Sequence, residues 1–276
     1  MNEVRSADGT TIGYRTLGRG PALILVHGGM LASQHFTKLA TALSAGFTVH
    51  VPDRRGRGLS GPHGAGFGVE REVEDLRALV AATGATRAFG LSTGALVVLR
   101  TALDTPALDR IALYEPPLSI DGSVPTGWLP RFDREIAAGR SAAALVTGMR
   151  GLATEPSLFS RIPRVALVPL LTAGARLQGK GNPEDVPVEA LIPTLHFDMR
   201  VIDEMAGTAG EYTELKARAL LLGGTKSAEY LGRALRKLAE VLPHAHSVTL
   251  PGLGHSGPED DGAPLVVARA LRDFYE

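Results

Sequence analysis

The stretch that most constrains this 276-residue chain is Phe89-Gly90-Leu91-Ser92-Thr93-Gly94-Ala95, which holds its one Gly-x-Ser-x-Gly. Thr86 to Phe89 reads as a short strand, and Ala95 to Ala102 as an apolar run suited to a buried helix. A serine on a sharp strand-to-helix turn is forced into unusual backbone angles, which lift its hydroxyl clear of the sheet. The flanking glycines remove Cβ atoms that would collide at such a turn. The helix behind it points its first N–H groups toward the place where negative charge develops in acyl transfer. Ser92 is therefore the candidate nucleophile.

The rest of the chain supplies a scaffold for such a turn. Asp8-Gly9 between two strand-like runs predicts an opening hairpin. Pro21 to Val26 is continuously apolar, as in a strand buried on both faces of a parallel sheet. A helix over Ser33–Ala45, a strand over Phe47–Val51 and an amphipathic helix over Val69–Thr83 follow. After the Ser92 strand and its helix comes another strand, Ile111 to Tyr114, closed by Glu115-Pro116-Pro117. This alternation predicts an α/β chain with a mostly parallel sheet and helices on both faces.

From about residue 118 the strand signal stops, and helices are predicted over 129–138, 142–152, 164–177 and 193–206. Alternation resumes with a strand over 217–222, a helix over 227–242, a strand over 247–250 and a last helix over 263–275. Residues 1–117 and 216–276 thus form the core, and 118–215 a helical cap inserted into it. Val165 to Leu171 is apolar nearly all round and is expected to be buried structure or pocket lining. Trp128 and Phe197 are the bulky cap residues expected to select the substrate.

His255 lies in Gly252-Leu253-Gly254-His255-Ser256-Gly257, just past the last strand, on the side where parallel sheets place their sites. It suits a general base that takes the Ser92 proton and returns it to the leaving group. His27-Gly28-Gly29-Met30 follows the first parallel strand, where glycines let N–H groups face a cleft. The Gly29 and Thr93 N–H groups are the expected oxyanion donors, with Met30 as the alternative to Gly29. His27 reads as structural, and Asp53, Arg54 and Arg55 as braces of a glycine-rich loop.

Taken together and in this order, H-G-G, D-R-R-G-R-G-L-S, G-L-S-T-G and the late G-H resemble the α/β-hydrolase fold family over all but the cap. The resemblance implies an esterase-like serine hydrolase with a helical cap. Many members carry an aspartate after the penultimate strand as G-x-x-D, but here that stretch is Gly223-Gly224-Thr225-Lys226-Ser227. Glu115 offers an acid at the end of the strand after the serine helix, where some relatives, including a branch of the haloalkane dehalogenases, place theirs. Asp203 and Glu229 are its competitors. The nucleophile position holds Ser, not the Asp used by dehalogenases and epoxide hydrolases of this fold.

The expected substrate is a small or medium acyl compound (ester, lactone or thioester), cleaved through an acyl-enzyme on Ser92 without a cofactor. Two alternatives stay open. One is a ligand-binding receptor of the same fold with very slow turnover. The other is a C–C hydrolase, acyltransferase or perhydrolase using the same triad.

Composition narrows the remainder. Twenty-nine basic residues balance 29 acidic ones, so no charge surplus points to nucleic acid. No cysteine is present, which removes disulfides and thiolate chemistry. His244 and His246 have no ligand cluster near them in sequence, so no metal is expected. Met1 to Arg5 lacks the apolar core of a signal peptide and no run is long enough for a membrane span, so a cytoplasmic location is expected. The residues specify no oligomeric state.

Overall fold

In the computed structural model, residues 2–154, 162–177 and 185–276 are described, with only the backbone at 174–177. Eight strands form one sheet: β1 (Asn2–Arg5), β2 (Thr11–Leu17), β3 (Ala22–Val26), β4 (Thr48–Pro52), β5 (Arg87–Leu91), β6 (Arg110–Tyr114), β7 (Arg218–Gly224) and β8 (Ala245–Leu250). Their order is β1-β2-β4-β3-β5-β6-β7-β8. The β1–β2 hairpin is antiparallel and β2 joins β4 antiparallel; every other pairing is parallel.

Side-chain alternation along the central strands builds a core on each face. Ile24, Val26, Ala88, Ile111, Leu113 and Leu221 pack on one side, beneath α2 (Val69–Thr83), α3 (Thr93–Leu103) and α9 (Glu229–Val241). Leu23, Leu25, Phe89, Leu91, Tyr114 and Leu222 pack on the other, against α1 (Thr37–Leu43) and α10 (Pro264–Tyr275). A strand with both faces covered is apolar along most of its buried length, which is why Ala22–Val26 of β3 and residues 111–114 of β6 read as unbroken runs. Helix α2 offers Val73, Leu76 and Val80 on one face and ends at Gly84, whose φ of 65° suits the left-handed cap that closes the last turn.

Between β6 and β7 the described residues form no strand. They hold α4 (Leu129–Ala137), α5 (Ser141–Leu152), α6 (Arg164–Leu177), α7 (Val188–Leu191) and α8 (Leu195–Glu204). The helix expected over 193–206 is instead a 3-10 turn at Ile192–Thr194 followed by α8, because Pro193 has no N–H to continue a helical ladder through that point. The apolar stretch at Val165–Leu171 also departs from expectation. Leu167 is buried, but Val165 is 85% and Leu170 57% exposed, because α6 covers the inner helices with one face only. No described helix is long and apolar enough to cross a membrane.

Candidate active site

The serine turn forms as its glycines require. Ser92 follows β5 directly, at φ 55° and ψ −124°, and is the N-cap of α3. A Cβ on Gly90 would lie 2.5 Å from the Ala95 Cα, and one on Gly94 would lie 2.4 Å from the His27 carbonyl. Neither neighbour is a flexible side-chain end, so both positions exclude any larger residue. A Cβ on Gly28 would stand 3.0 Å from the Ser92 Cβ. The loop after β3 and the turn after β5 are therefore in direct contact, and Gly29 and Thr93 line the same cavity.

Glu115 follows β6, also at positive φ (47°), with its N–H bonded to the Leu222 carbonyl at 3.0 Å. Met30 is the third such residue at this end of the sheet, with φ 53°. Left-handed backbone costs a non-glycine residue about 1–3 kcal/mol, so three adjacent instances mark where the surrounding structure enforces geometry.

The Glu115 carboxylate is fully buried and accepts from three donors. Its Oε2 takes the His255 Nδ1–H at 2.7 Å, and its Oε1 takes the Gly224 N–H at 2.6 Å and the Ser227 hydroxyl. Gly224 and Ser227 belong to the stretch that lacks the G-x-x-D aspartate, and here that segment donates to the Glu115 carboxylate instead. Asp203 is exposed, and Glu229 is exposed and paired with Arg236; neither bonds His255. The His255 loop is held from below. The Tyr114 hydroxyl donates to the Gly254 carbonyl at 2.7 Å, and a Cβ on Gly224 would lie 2.2 Å from the Leu253 carbonyl.

Ser92, Thr93, Gly29, Met30 and His255 share one cavity of about 410 Å³. Leu31, Leu145, Met149, Leu152, Leu195 and Ile202 make its wall largely apolar. Among the described residues, neither Trp128 nor Phe197 lines it, contrary to expectation. Trp128 packs edge-on against Phe132 inside the helical insertion, and Phe197 stacks on His63 at 3.6 Å. Helix α5 and the buried face of α8 do the lining instead.

His27 is structural, as expected. Its Nε2 accepts the Arg54 N–H at 3.1 Å, which leaves Nδ1 to donate to the Gly28 carbonyl at 2.9 Å. Burial holds its pKa well below the ordinary histidine value, so the ring stays neutral. Asp53 braces its loop by accepting the Ser33 and Leu59 N–H groups at 2.7 and 3.0 Å. Arg55 does so through Asp75 and Asp8.

Arg54 does more than the sequence suggests. It grips Glu72 with two nitrogens and also reaches Asp198 and the Thr93 hydroxyl. Asp198 and Glu72 escaped the sequence reading although each leaves a trace. Leu195, Asp198, Met199 and Ile202 share an i, i+3, i+4, i+7 stripe, as do Val69, Glu72, Val73 and Leu76. A carboxylate on an apolar stripe signals a buried ionic partner. Among the described residues, no group of three or more histidine and carboxylate side chains is placed to hold a metal ion.

A doubly covered parallel sheet, a serine on a glycine-flanked turn and a carboxylate-bound histidine at its carboxyl end define the α/β-hydrolase class. The alpha/beta hydrolase family profile matches residues 23–270, and the chain belongs to that family. It is similar along its whole length to an alpha/beta hydrolase from Sphaerobacter thermophilus, with a TM-score of 0.80, 30% identity and 100% of both chains covered. It is 24% identical to the 2-(acetamidomethylene)succinate hydrolase of Mesorhizobium japonicum, over 96% of this chain and 92% of that one. With the pimeloyl-[acyl-carrier protein] methyl ester esterase of Xanthomonas campestris it shares 25% identity, over 94% of this chain and 96% of that one. The chain is thus a hydrolase-family protein with esterases among its relatives.

Proposed function

We propose that the protein is a serine carboxylic-ester hydrolase acting on a small or medium acyl compound through a covalent intermediate on Ser92. The observation that carries this reading is the 2.7 Å bond between His255 Nδ1 and Glu115 in the cavity that also holds Ser92. A carboxylate on Nδ1 keeps the proton there and leaves Nε2 free to accept the Ser92 proton. The Ser92 oxygen then attacks the acyl carbon. The carbonyl electron pair moves onto oxygen, where the Gly29 and Thr93 N–H groups receive it, with Met30 as the alternative first donor. Collapse of this adduct expels the alcohol or thiol, which takes the proton from His255. Water repeats the sequence and releases the acid, so hydrolysis calls for no cofactor.

The helical insertion acts as a cap that shapes the acyl site. An apolar wall around about 410 Å³ favours a short to medium uncharged acyl chain. A fluorophosphonate probe should label Ser92 and no other residue, and Ser92→Ala should lose labelling and ester turnover while melting like the wild type. A probe adduct elsewhere, or ester turnover surviving in Ser92→Ala, refutes the reading.

A further inference from the structure

Among the described residues, the cap presents one charged side chain to the catalytic centre that the reaction above leaves unused. Asp198, on α8, is fully buried and lines the catalytic cavity. Its Oδ1 accepts the Thr93 hydroxyl at 3.1 Å and Arg54 Nη1 at 2.8 Å, and its Oδ2 accepts Arg57 Nη2 at 2.7 Å. The same Oδ2 stands 3.0 Å from where a Cβ on Gly29 would lie. One carboxylate from the cap therefore rests against both residues whose N–H groups would receive the oxyanion.

A bare carboxylate there would oppose the reaction, since it would repel the negative charge forming a few ångströms away. Two guanidiniums prevent this. Arg54 bridges Asp198 and Glu72, and Arg57 is pinned by Asp198 and by the Thr194 hydroxyl at 3.2 Å. Arg54, Arg57, Glu72 and Asp198 form a buried chain of two positive and two negative groups with no net charge. Burial alone would raise the Asp198 carboxyl, but Arg57 and Arg54 outweigh it and hold it at about 2, so it stays ionised. A pure cap anchor would need only the arginines. Bonding the Thr93 side chain as well ties the anchor to the first turn of α3.

We propose that Asp198 is a positioning residue: a cap carboxylate, neutralised by Arg54 and Arg57, that holds Thr93 and Gly29 so that their N–H groups converge on the oxyanion. The inference rests on the reading of those two residues as the oxyanion hole. It makes seating of the cap and completion of the hole one event, because the same side chain does both.

The test uses the full-length protein, with every rate divided by the number of Ser92 sites titrated by a fluorophosphonate. Misfolded protein then drops out of the comparison. Losing one oxyanion donor outright costs roughly 10²–10³-fold, so misplacing the hole in Asp198→Asn should lower kcat per site by about 10–100-fold. KM should change by less than about threefold, because only the transition state uses the hole. Inhibition by a trifluoromethyl ketone, whose adduct places an oxyanion in the hole, should weaken by about the same factor as kcat. Thr93→Val should act in the same direction and Thr93→Ser should restore the rate. The double variant Asp198→Asn/Thr93→Val should be no slower than about the worse single change, as expected for residues acting as a unit.

Glu135→Gln is the control. It breaks a buried ion pair with Arg164 within the cap, away from the cavity. It should lower the melting temperature while leaving kcat per site within about twofold, as expected of a site outside the shared network. The proposal is overturned if Asp198→Asn turns over within about threefold of wild type per site, or if the losses in the double variant multiply. Should Asp198→Asn fail to fold, the Thr93 pair decides, and a normal rate in Thr93→Val overturns it. Wild-type protein that the probe does not label would instead sink the acyl-enzyme reading itself.

Discussion

Replacing Glu115 by Gln tests the active-site assignment most sharply, because the structure dictates how the amide must sit. Oε1 of Glu115 faces the Gly224 N–H, a backbone donor that cannot reverse, at 2.6 Å. The amide oxygen of Gln must take that place, which turns its NH₂ group toward His255. Nδ1 then faces a donor and has to accept, so the ring proton moves to Nε2 and no base faces Ser92. An Asp-to-Asn change at the corresponding triad position of a serine protease costs about 10⁴-fold, equivalent to about 5.4 kcal/mol of barrier. We expect a loss of that order in kcat on an aryl ester at neutral pH. The folded state exchanges charge-assisted hydrogen bonds for neutral ones and should lose about 1–3 kcal/mol, leaving a folded enzyme. Glu229→Gln and Asp203→Asn, both at exposed positions, should stay within about tenfold of wild type, ~1.4 kcal/mol. A Glu115→Gln enzyme retaining more than a tenth of the wild-type kcat would refute the reasoning.

Three further outcomes are expected. Leu145→Ala and Met149→Ala enlarge the apolar wall of the cavity and should shift the preferred acyl chain upward. Each added methylene that finds a place should gain about fourfold in kcat/KM, from ~0.8 kcal/mol of transfer energy, and unchanged chain-length profiles would show that the wall lies elsewhere. Gly94→Ala should melt several degrees lower than wild type, since its Cβ would meet the His27 carbonyl at 2.4 Å; an unchanged melting curve would contradict the packing of the two loops. His63, stacked on Phe197, has its pKa lowered to about 4 by burial and then by the charge of Arg57. Its neutral form is favoured by folding, so that stability is present above the unfolded value of about 6.5 and is lost as pH falls toward about 4. Denaturant melts across this window should show a shallower pH slope in His63→Leu than in wild type, and identical slopes would remove His63 from the account.

Much of the protein is legible in its residue order because the signals are local. Unbroken apolar runs mark strands covered on both faces, and Gly90 is demanded by contacts within one strand-turn-helix unit, whereas Gly94 is demanded by the His27 carbonyl of the neighbouring loop. The hairpin at Asp8-Gly9, the alternation after residue 20 and the helical stretch between β6 and β7 were all readable from spacing alone. Ser92 and His255 were candidates because each closes a strand at the same end of a parallel sheet. Boundaries slipped where a local signal conflicted with its neighbours, as at Pro193, which displaced the start of α8. The apolar run at Val165–Leu171 misled because hydrophobicity does not say which face of an outer helix meets the rest.

Only the tertiary structure decided which side chains meet across sequence separations of a hundred residues or more. Glu115 reaches His255, 140 positions away, because β6 and β7 are neighbours and the β7 end supplies Gly224 and Ser227 as donors. Exposed Asp203 and Glu229 are as acidic in sequence as Glu115. What separates them is the fold, which aims one carboxylate at the imidazole and leaves the others in water. The same holds for the buried chain from Glu72 through Arg54 and Asp198 to Arg57. Its members come from three segments, and nothing in their spacing along the chain says which carboxylate meets which guanidinium. Burial makes an unpaired charge so costly that the four must be folded together or not at all, and pairing is a property of the assembled structure.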